Sequence, residues 1–362
     1  MFKGTRRYAK GEIDHITASM GGSNNAFTSL DSTAYYFSFA SDRWWPALEI
    51  EADRITHTTL DPEELELERG VILEEIKMDL DTPWGALRQV VETTAFNDHP
   101  YRFPVIGSPE DVAGITRDQL LTHYRRYYQP GNAVLVVAGD FNPVQAMARI
   151  EALFGDLVSH QVPERPVFTE PPGKEQVRLE LRRPTETARI LAAFPAPSAR
   201  QPEQYCLHLL DALLAQGKRS RLYRRMVDDE GVVSGVHTDF TETLDPYLFF
   251  VSLELQQERE LDRVEELLFE EIETLMNDLV PEEELTRAKN HCLVQFLCGF
   301  ETSLDQAMQL GLAETLDLGS YWSGYSENIR SVTSRQIREM AASWWARGRT
   351  TVGRLFSGRS EG

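Results

Sequence analysis

The chain is a weak duplication of itself. Leu60-Asp61-Pro62-Glu63-Glu64-Leu65 recurs as Leu279-Val280-Pro281-Glu282-Glu283-Glu284-Leu285, and Thr116-Arg117-Asp118-Gln119-Leu120 recurs as Thr333-Ser334-Arg335-Gln336-Ile337. Tyr127-Tyr128-Gln129-Pro130-Gly131-Asn132, running into Ala133-Val134-Leu135-Val136-Val137, is echoed by Trp344-Trp345-Ala346-Arg347-Gly348-Arg349, running into Thr350-Thr351-Val352-Gly353. The offset stays between 217 and 220 residues. Self-similarity at a fixed spacing marks a repeated structural unit, so two related units are expected. The second copy begins near Lys174, which sets the expected start of the first copy roughly 45 positions ahead of Met1.

With 362 residues the chain can build two cores of ordinary size. It has no apolar run of about 18 residues, so no membrane span is expected. Met1-Phe2-Lys3-Gly4-Thr5 leads into polar sequence unlike a signal peptide. If a targeting segment lies upstream, the compartment stays open between bacterial periplasm and cytoplasm. A net charge of −20 argues against nucleic-acid binding, which needs clustered Lys and Arg. Cys206, Cys292 and Cys298 are too few for a disulfide framework and read as core fillers.

The pattern predicts an α+β fold of two homologous domains, each an antiparallel-rich sheet packed with helices. The domains are expected at 1–160 and 174–362. The linker over 161–173 contains Pro163, Pro166, Pro171 and Pro172. In the first copy a hairpin is expected over 26–29 and 32–39, then helices over 44–55, 62–80, 82–94, 111–128 and 145–154, with a buried strand at 132–138. The second copy is expected to carry strands at 177–182, 189–194 and 248–255, and helices at 202–215, 259–279 and 282–300.

The helix predicted over 62–80 carries the most chemistry. At 100° per residue, Leu65, Ile72, Ile76 and Leu80 form one apolar stripe. Glu68 and Glu75, seven residues apart, stack at its edge, and Glu74 points away. Carboxylates at a core margin need a cationic partner, a metal or an Arg, whereas an acid-rich helix with a solvated face needs none. Aligned on the repeat, Glu68 falls on Arg287 and Glu75 on Val294, so the fold itself does not require the pair.

Phe2-Lys3-Gly4-Thr5, Asn25-Ala26-Phe27-Thr28, Glu68-Arg69-Gly70-Val71-Ile72-Leu73-Glu74-Glu75 and His99-Pro100-Tyr101-Arg102-Phe103-Pro104-Val105-Ile106-Gly107 resemble the insulinase/pitrilysin family of zinc peptidases. Phe194-Pro195-Ala196-Pro197-Ser198 and Ser220-Arg221-Leu222-Tyr223 extend the likeness into the second copy. Bacterial peptidases and the processing-peptidase β subunit are the nearest in pattern. The resemblance implies a His-x-x-Glu-His helix in which two His bind zinc and the Glu activates water as general base. A later Glu, matching Glu75, would be the third ligand, and Glu68 would support the site from behind it. In such proteins the motif ends just before the segment matching Met1-Phe2-Lys3-Gly4-Thr5. Met1 thus reads as an internal methionine, and the first domain as lacking its N-terminal strands and zinc-motif helix. His15, His57, His99, His123, His160, His208, His237 and His291 contain no pair at ligand spacing. Catalytic zinc needs three protein ligands, so these 362 residues alone are expected to be inactive and not to retain zinc.

The resemblance also implies that Asn25, Ala26, Phe27 and Thr28 form an edge strand to which a peptide or unfolded protein segment is added. Without it, this is an ordinary hairpin strand. Val227 and Ser234 stand where relatives carry an Arg and a Tyr that bind substrate, implying a second homologous subunit that supplies this pair, or a homodimer. The expected function is therefore a zinc endopeptidase subunit. The rivals are a non-catalytic structural or regulatory subunit and a simple peptide-binding module. Apolar surface left uncovered in the first domain predicts poor solubility.

Overall fold

The computed structural model describes residues 3–168, 170, 175–319 and 321–358. Met1, Phe2 and part of the expected linker, including Pro171 and Pro172, lie outside the described residues. The first half contains α1 (Glu12–Ser19), β1 (Ser23–Thr28), β2 (Thr33–Ser38), α2 (Trp45–His57), α3 (Pro62–Asp81), α4 (Pro83–Ala95), α5 (Pro109–Gly114), α6 (Arg117–Tyr127) and α7 (Pro143–Phe154). The second contains β3 (Val177–Arg183), β4 (Arg189–Ala196), α8 (Gln204–Leu214), β5 (Val233–Phe240), β6 (Tyr247–Leu255) and α9 (Leu261–Asn277). These are followed by α10 (Glu282–Cys298), α11 (Ser303–Thr315), α12 (Tyr321–Ser331), α13 (Ser334–Trp344) and β7 (Thr351–Ser357).

Two compact units result. Unit 1 comprises Met1–Lys77, Val105–Val167 and Gly299–Thr315, and unit 2 comprises Met78–Pro104, Phe168–Cys298 and Leu316–Gly362. This partition exchanges one helix between the sequence copies: α4 belongs to unit 2 and α11 to unit 1. Each has 13 residues and follows the long helix of its own copy.

Unit 2 is built on a five-stranded mixed sheet in the order β3-β7-β4-β6-β5. β7 runs parallel to β3, and the other pairs are antiparallel. α9 packs on β4, and its Leu261, Val264, Leu268, Ile272 and Leu275 recur at helical spacing and are all buried in the same core as the β6 side chains. Phe194, Phe249, Phe269 and Trp345 are fully buried within this core, and the Trp345 indole N–H donates to the Pro195 carbonyl at 3.2 Å. α4 covers β3, β7 and β4. A Cβ on Gly353 of β7 would lie 2.5 Å from Val91 Cγ2, so glycine is what lets this helix approach.

Unit 1 has a two-stranded sheet, β1 antiparallel to β2 from Ser23↔Ser38 to Thr28↔Thr33. Tyr8, Ile13 and Ile50 form its buried cluster, against which Ile16 and Phe37 pack. Arg54 of α2 is wholly buried, with its guanidinium 4.5 Å from the Tyr35 ring centroid and paired with Glu51. The Tyr35 hydroxyl meets that of Tyr128 at 3.2 Å.

Three expectations need correction. Residues 132–138 form no strand: a ladder needs a neighbour, and none of the described residues pairs with this segment. Val134 and Leu135 are 45% and 44% exposed instead of buried. The helix expected over 111–128 is two helices, α5 and α6, because the backbone turns extended at Ile115 after Gly114 and Thr116 opens the second. Its hydroxyl accepts from the Gln119 N–H, and Gln119 answers with the reciprocal bond of a capping box. Cys298, the last residue of α10, is exposed, whereas Cys206 and Cys292 are buried core fillers whose thiols burial pushes up to about 12.

Candidate functional site

α3 starts where its sequence says it should. The Asp61 carboxylate accepts from the Glu63 and Glu64 N–H groups at 2.9 and 3.2 Å, and Pro62 needs no hydrogen-bond acceptor at the first helical position. Arg117 fixes the approach, donating to the Leu60 and Thr59 carbonyls at 2.5 and 2.9 Å. Arg69 is likewise occupied, donating to the Ile115 carbonyl at 2.8 Å, which ties α3 to the end of α5. Ile76 is buried, and Leu65, Ile72 and Leu80 are half-buried, so the apolar stripe faces inward.

The two acidic residues on its margin have different environments. Glu68 is half-buried and accepts an ion pair from Lys3 Nζ at 3.0 Å. Its hydrogen bond raises the Lys3 ammonium above its ordinary range, with the Glu68 charge adding to the effect. Glu75 is exposed and makes no hydrogen bond or ion pair with a described residue. Glu74 is exposed and pairs loosely with Lys77 at 4.0 Å. Carboxylates without a bound cation belong in water, and Glu75 is in water, with all of its donor capacity uncommitted.

Zinc would need more than this. Among the described residues no group of three His, Cys, Asp or Glu side chains is arranged to hold a metal ion. One exposed carboxylate, with a second already neutralised by Lys3, does not make a zinc site.

Asn25, Ala26, Phe27 and Thr28 all lie on β1, opposite Tyr36, Tyr35, Ala34 and Thr33 of β2. Among the described residues β1 pairs with β2 on one side only; on its other edge the Ala26 N–H donates to Asn25 Oδ1 at 2.8 Å, and Phe27 is exposed. His99-Pro100-Tyr101-Arg102 is a structural loop: His99 Nδ1 accepts from the Tyr101 N–H at 3.1 Å, and Nε2 meets Asp245 at 3.2 Å.

Sequence reasoning missed a polar cluster in unit 2. His208 Nε2 lies 3.0 Å from Glu242, and the Tyr321 hydroxyl donates to the same carboxylate at 2.6 Å. Burial opposes ionisation of Glu242, but the His208 hydrogen bond and charge, then Tyr321, hold it below its usual range. Asp211, one helical turn from His208, is shifted up by burial, although Thr238 and Gln216 donate to it. These residues come from α8, the β5–β6 connection and α12, so no sequence spacing announces them.

Residues 1–108 match the insulinase family, peptidase family M16, and residues 114–292 match the peptidase M16 inactive domain. An uncharacterized zinc protease of Mycobacterium leprae is 28% identical over 351 residues, covering 94% of this chain and 77% of its own length. The zinc protease PqqE of Helicobacter pylori is 26% identical over 318 residues, 84% of this chain and 70% of its own. The fold is shared with the crystal structure of a protease from Helicobacter pylori, with a TM-score of 0.92 and 24% identity, covering 98% of this chain and 87% of that one. A peptidase M16 inactive domain from Pseudomonas fluorescens gives a TM-score of 0.87 at 19% identity, over 100% and 87%. The chain belongs to the insulinase family of peptidases, family M16.

Proposed function

We propose that this chain is the zinc-bearing subunit of an insulinase-type endopeptidase that hydrolyses peptides or unfolded protein segments, its ligand set completed by a His-x-x-Glu-His segment upstream of Met1. The observation that carries this reading is Glu75, a carboxylate on a well-anchored helix, in water, with no described partner. Its counterpart in the second copy is Val294, so nothing in the shared fold calls for an acid there.

Glu75 supplies the third metal ligand, and Glu68, paired with Lys3, stands behind it. When bound, zinc polarises a peptide carbonyl and lowers the pKa of water. The residues of this chain do the remaining work. The free edge of β1 takes an extended peptide as an added strand through Asn25, Ala26, Phe27 and Thr28, backbone to backbone, with little demand on side-chain identity. Val227 and Ser234 supply neither a guanidinium nor a phenol for the substrate, so a homologous partner chain that carries them provides that contact.

The 362-residue chain is inactive alone in this reading. The test is to read the DNA upstream of Met1 and assay the lengthened protein on an unfolded protein substrate. An in-frame His-x-x-Glu-His with chelator-sensitive hydrolysis is expected. A lengthened chain without the motif leaves a non-catalytic subunit instead.

A further inference from the structure

The turn that opens each long helix recurs in the two copies, and so does the helix junction tied to it. In unit 1 the chain entering α3 is tied to the α5–α6 junction, and in unit 2 the chain entering α10 is tied to the α12–α13 junction. The 217-residue offset matches Ile115, Thr116 and Arg117 to Val332, Thr333 and Ser334. Alignment of Pro62 on Pro281 matches Arg69 to Ala288. Two ties have counterparts. Ser334 Oγ donates to the Val280 carbonyl at 2.8 Å, where Arg117 donates to the Leu60 and Thr59 carbonyls. Lys289, next to Ala288, donates to the Arg330 carbonyl at 2.8 Å, where Arg69 donates to the Ala113 carbonyl at 3.2 Å.

The two junctions differ in what else they hold. In unit 2, Val280, Leu285, Ala288 and Val332 are all buried. In unit 1, Ile115 is exposed and a cavity of about 470 Å³ opens, with Pro62, Leu65 and Ile115 among its apolar lining and Glu66, Arg69 and Arg117 as its charged groups. That volume is ordinary for a small-molecule site. The two guanidinium groups are not equivalent. Arg69 spends every N–H, on the Glu66 carboxylate and on the Val112, Ala113 and Ile115 carbonyls. Arg117 donates only from Nε and Nη2, to backbone carbonyls, and makes no ion pair with a described residue. Three of its N–H groups remain uncommitted, two of them side by side on the edge between Nη1 and Nη2. That edge fits both oxygens of a carboxylate. A serine makes the tie in unit 2, so the shared fold does not call for a guanidinium here.

We infer that this cavity binds a monoanionic carboxylate carrying an apolar group, either the end of a peptide chain or a free organic acid. Arg117 holds the carboxylate, and Pro62, Leu65 and Ile115 take the apolar body. The balance of charge sets the class. Glu66 and Arg69 neutralise each other, at 3.1 and 3.2 Å, which leaves the Arg117 cation for one negative charge. The second charge of a phosphate would meet the Glu66 carboxylate in the same cavity without a further cation to offset it. The apolar wall adds affinity for a ligand that has a hydrocarbon part and none for a bare ion.

Ligand-observed NMR titrations on the 362-residue chain test this, run in chelator so that neither zinc nor hydrolysis plays a part. The probes are N-acetylalanylphenylalanine, its C-terminal amide, 3-phenylpropionate and inorganic phosphate. Both carboxylates should bind saturably, and the amide should bind about tenfold more weakly or worse. A preference for the dipeptide over 3-phenylpropionate names a peptide end as the source, and the opposite preference names a free acid. Arg117→Ser, which copies the residue of unit 2, should lower carboxylate affinity by about tenfold or more with the far-UV circular dichroism unchanged. If that variant unfolds, the acid and the amide on the parent chain still decide the matter. Equal binding of acid and amide overturns the inference. So does phosphate binding more tightly than either carboxylate, so does parent-like affinity in Arg117→Ser, and so does the lack of saturation by about 10 mM carboxylate.

Discussion

β7 and residues 133–138 descend from one repeated pattern, yet Val352 of β7 is fully buried and Leu135, its equivalent, is 44% exposed. In unit 2 the strand is held on both sides, and its sheet carries the large core around Phe194, Phe249, Phe269 and Trp345. In unit 1 the same kind of segment has a helix beside it and no ladder among the described residues, and Tyr8, Ile13 and Ile50 form a small buried cluster. A strand-forming sequence is therefore necessary but not sufficient. Its backbone groups need partners, and its side chains need a second layer.

The largest effect should come from the unit 2 core. Phe194→Ala should cost about 3–5 kcal/mol in denaturant unfolding, and a loss below about 1 kcal/mol would mean that this core is not the stabilising one. The sharpest contrast comes next. Val352→Pro should destabilise by about 3 kcal/mol or more because it breaks a central ladder, whereas Leu135→Pro in the 362-residue chain should stay within about 0.5 kcal/mol. Equal losses would erase the distinction between the two segments.

Acid should act on unit 2 through Glu170. Burial opposes its ionisation, but the N–H groups of Asn97, Asp98 and His99 donate to it at 2.8, 3.2 and 3.1 Å and hold its carboxyl below the usual range. A depressed folded-state pKa gives stability that is present above the unfolded value near 4.3 and lost as pH falls through the folded one. Glu170→Gln should flatten that part of the melting temperature's pH dependence, and an unchanged acid limb would refute this assignment. The smallest effect is at Lys3. Its exposed pair with Glu68 should contribute between about 0 and 1 kcal/mol, less at high salt. A Lys3→Ala loss well beyond that would show that the pair is more than a surface contact.

What was legible in the sequence was what local chemistry writes. Asp61-Pro62 starts α3, and the matched capping boxes Thr116/Gln119 and Thr333/Gln336 open α6 and α13. The motifs around Glu68 and Glu75 carry the likeness to the family in the sequence itself. Non-local facts were not legible. The apolar run at 132–138 reads as a buried strand because periodicity reports what a segment could do, not whether a neighbour is there. β5 alternates weakly, with His237, Thr238 and Asp239 in its middle, and gave no signal. The Lys3–Glu68 pair joins residues 65 apart, and the exchange of α4 and α11 between units depends on packing alone.

The central claim is that Glu75 was kept to hold a metal while its neighbour Glu74 was not. Zinc co-purifying with the upstream-lengthened chain, measured for the parent, Glu75→Gln and Glu74→Gln, tests it directly. The account predicts zinc in the parent and in Glu74→Gln, and its loss in Glu75→Gln with the fold intact. Zinc retained equally by all three, or absent from all three, would contradict it.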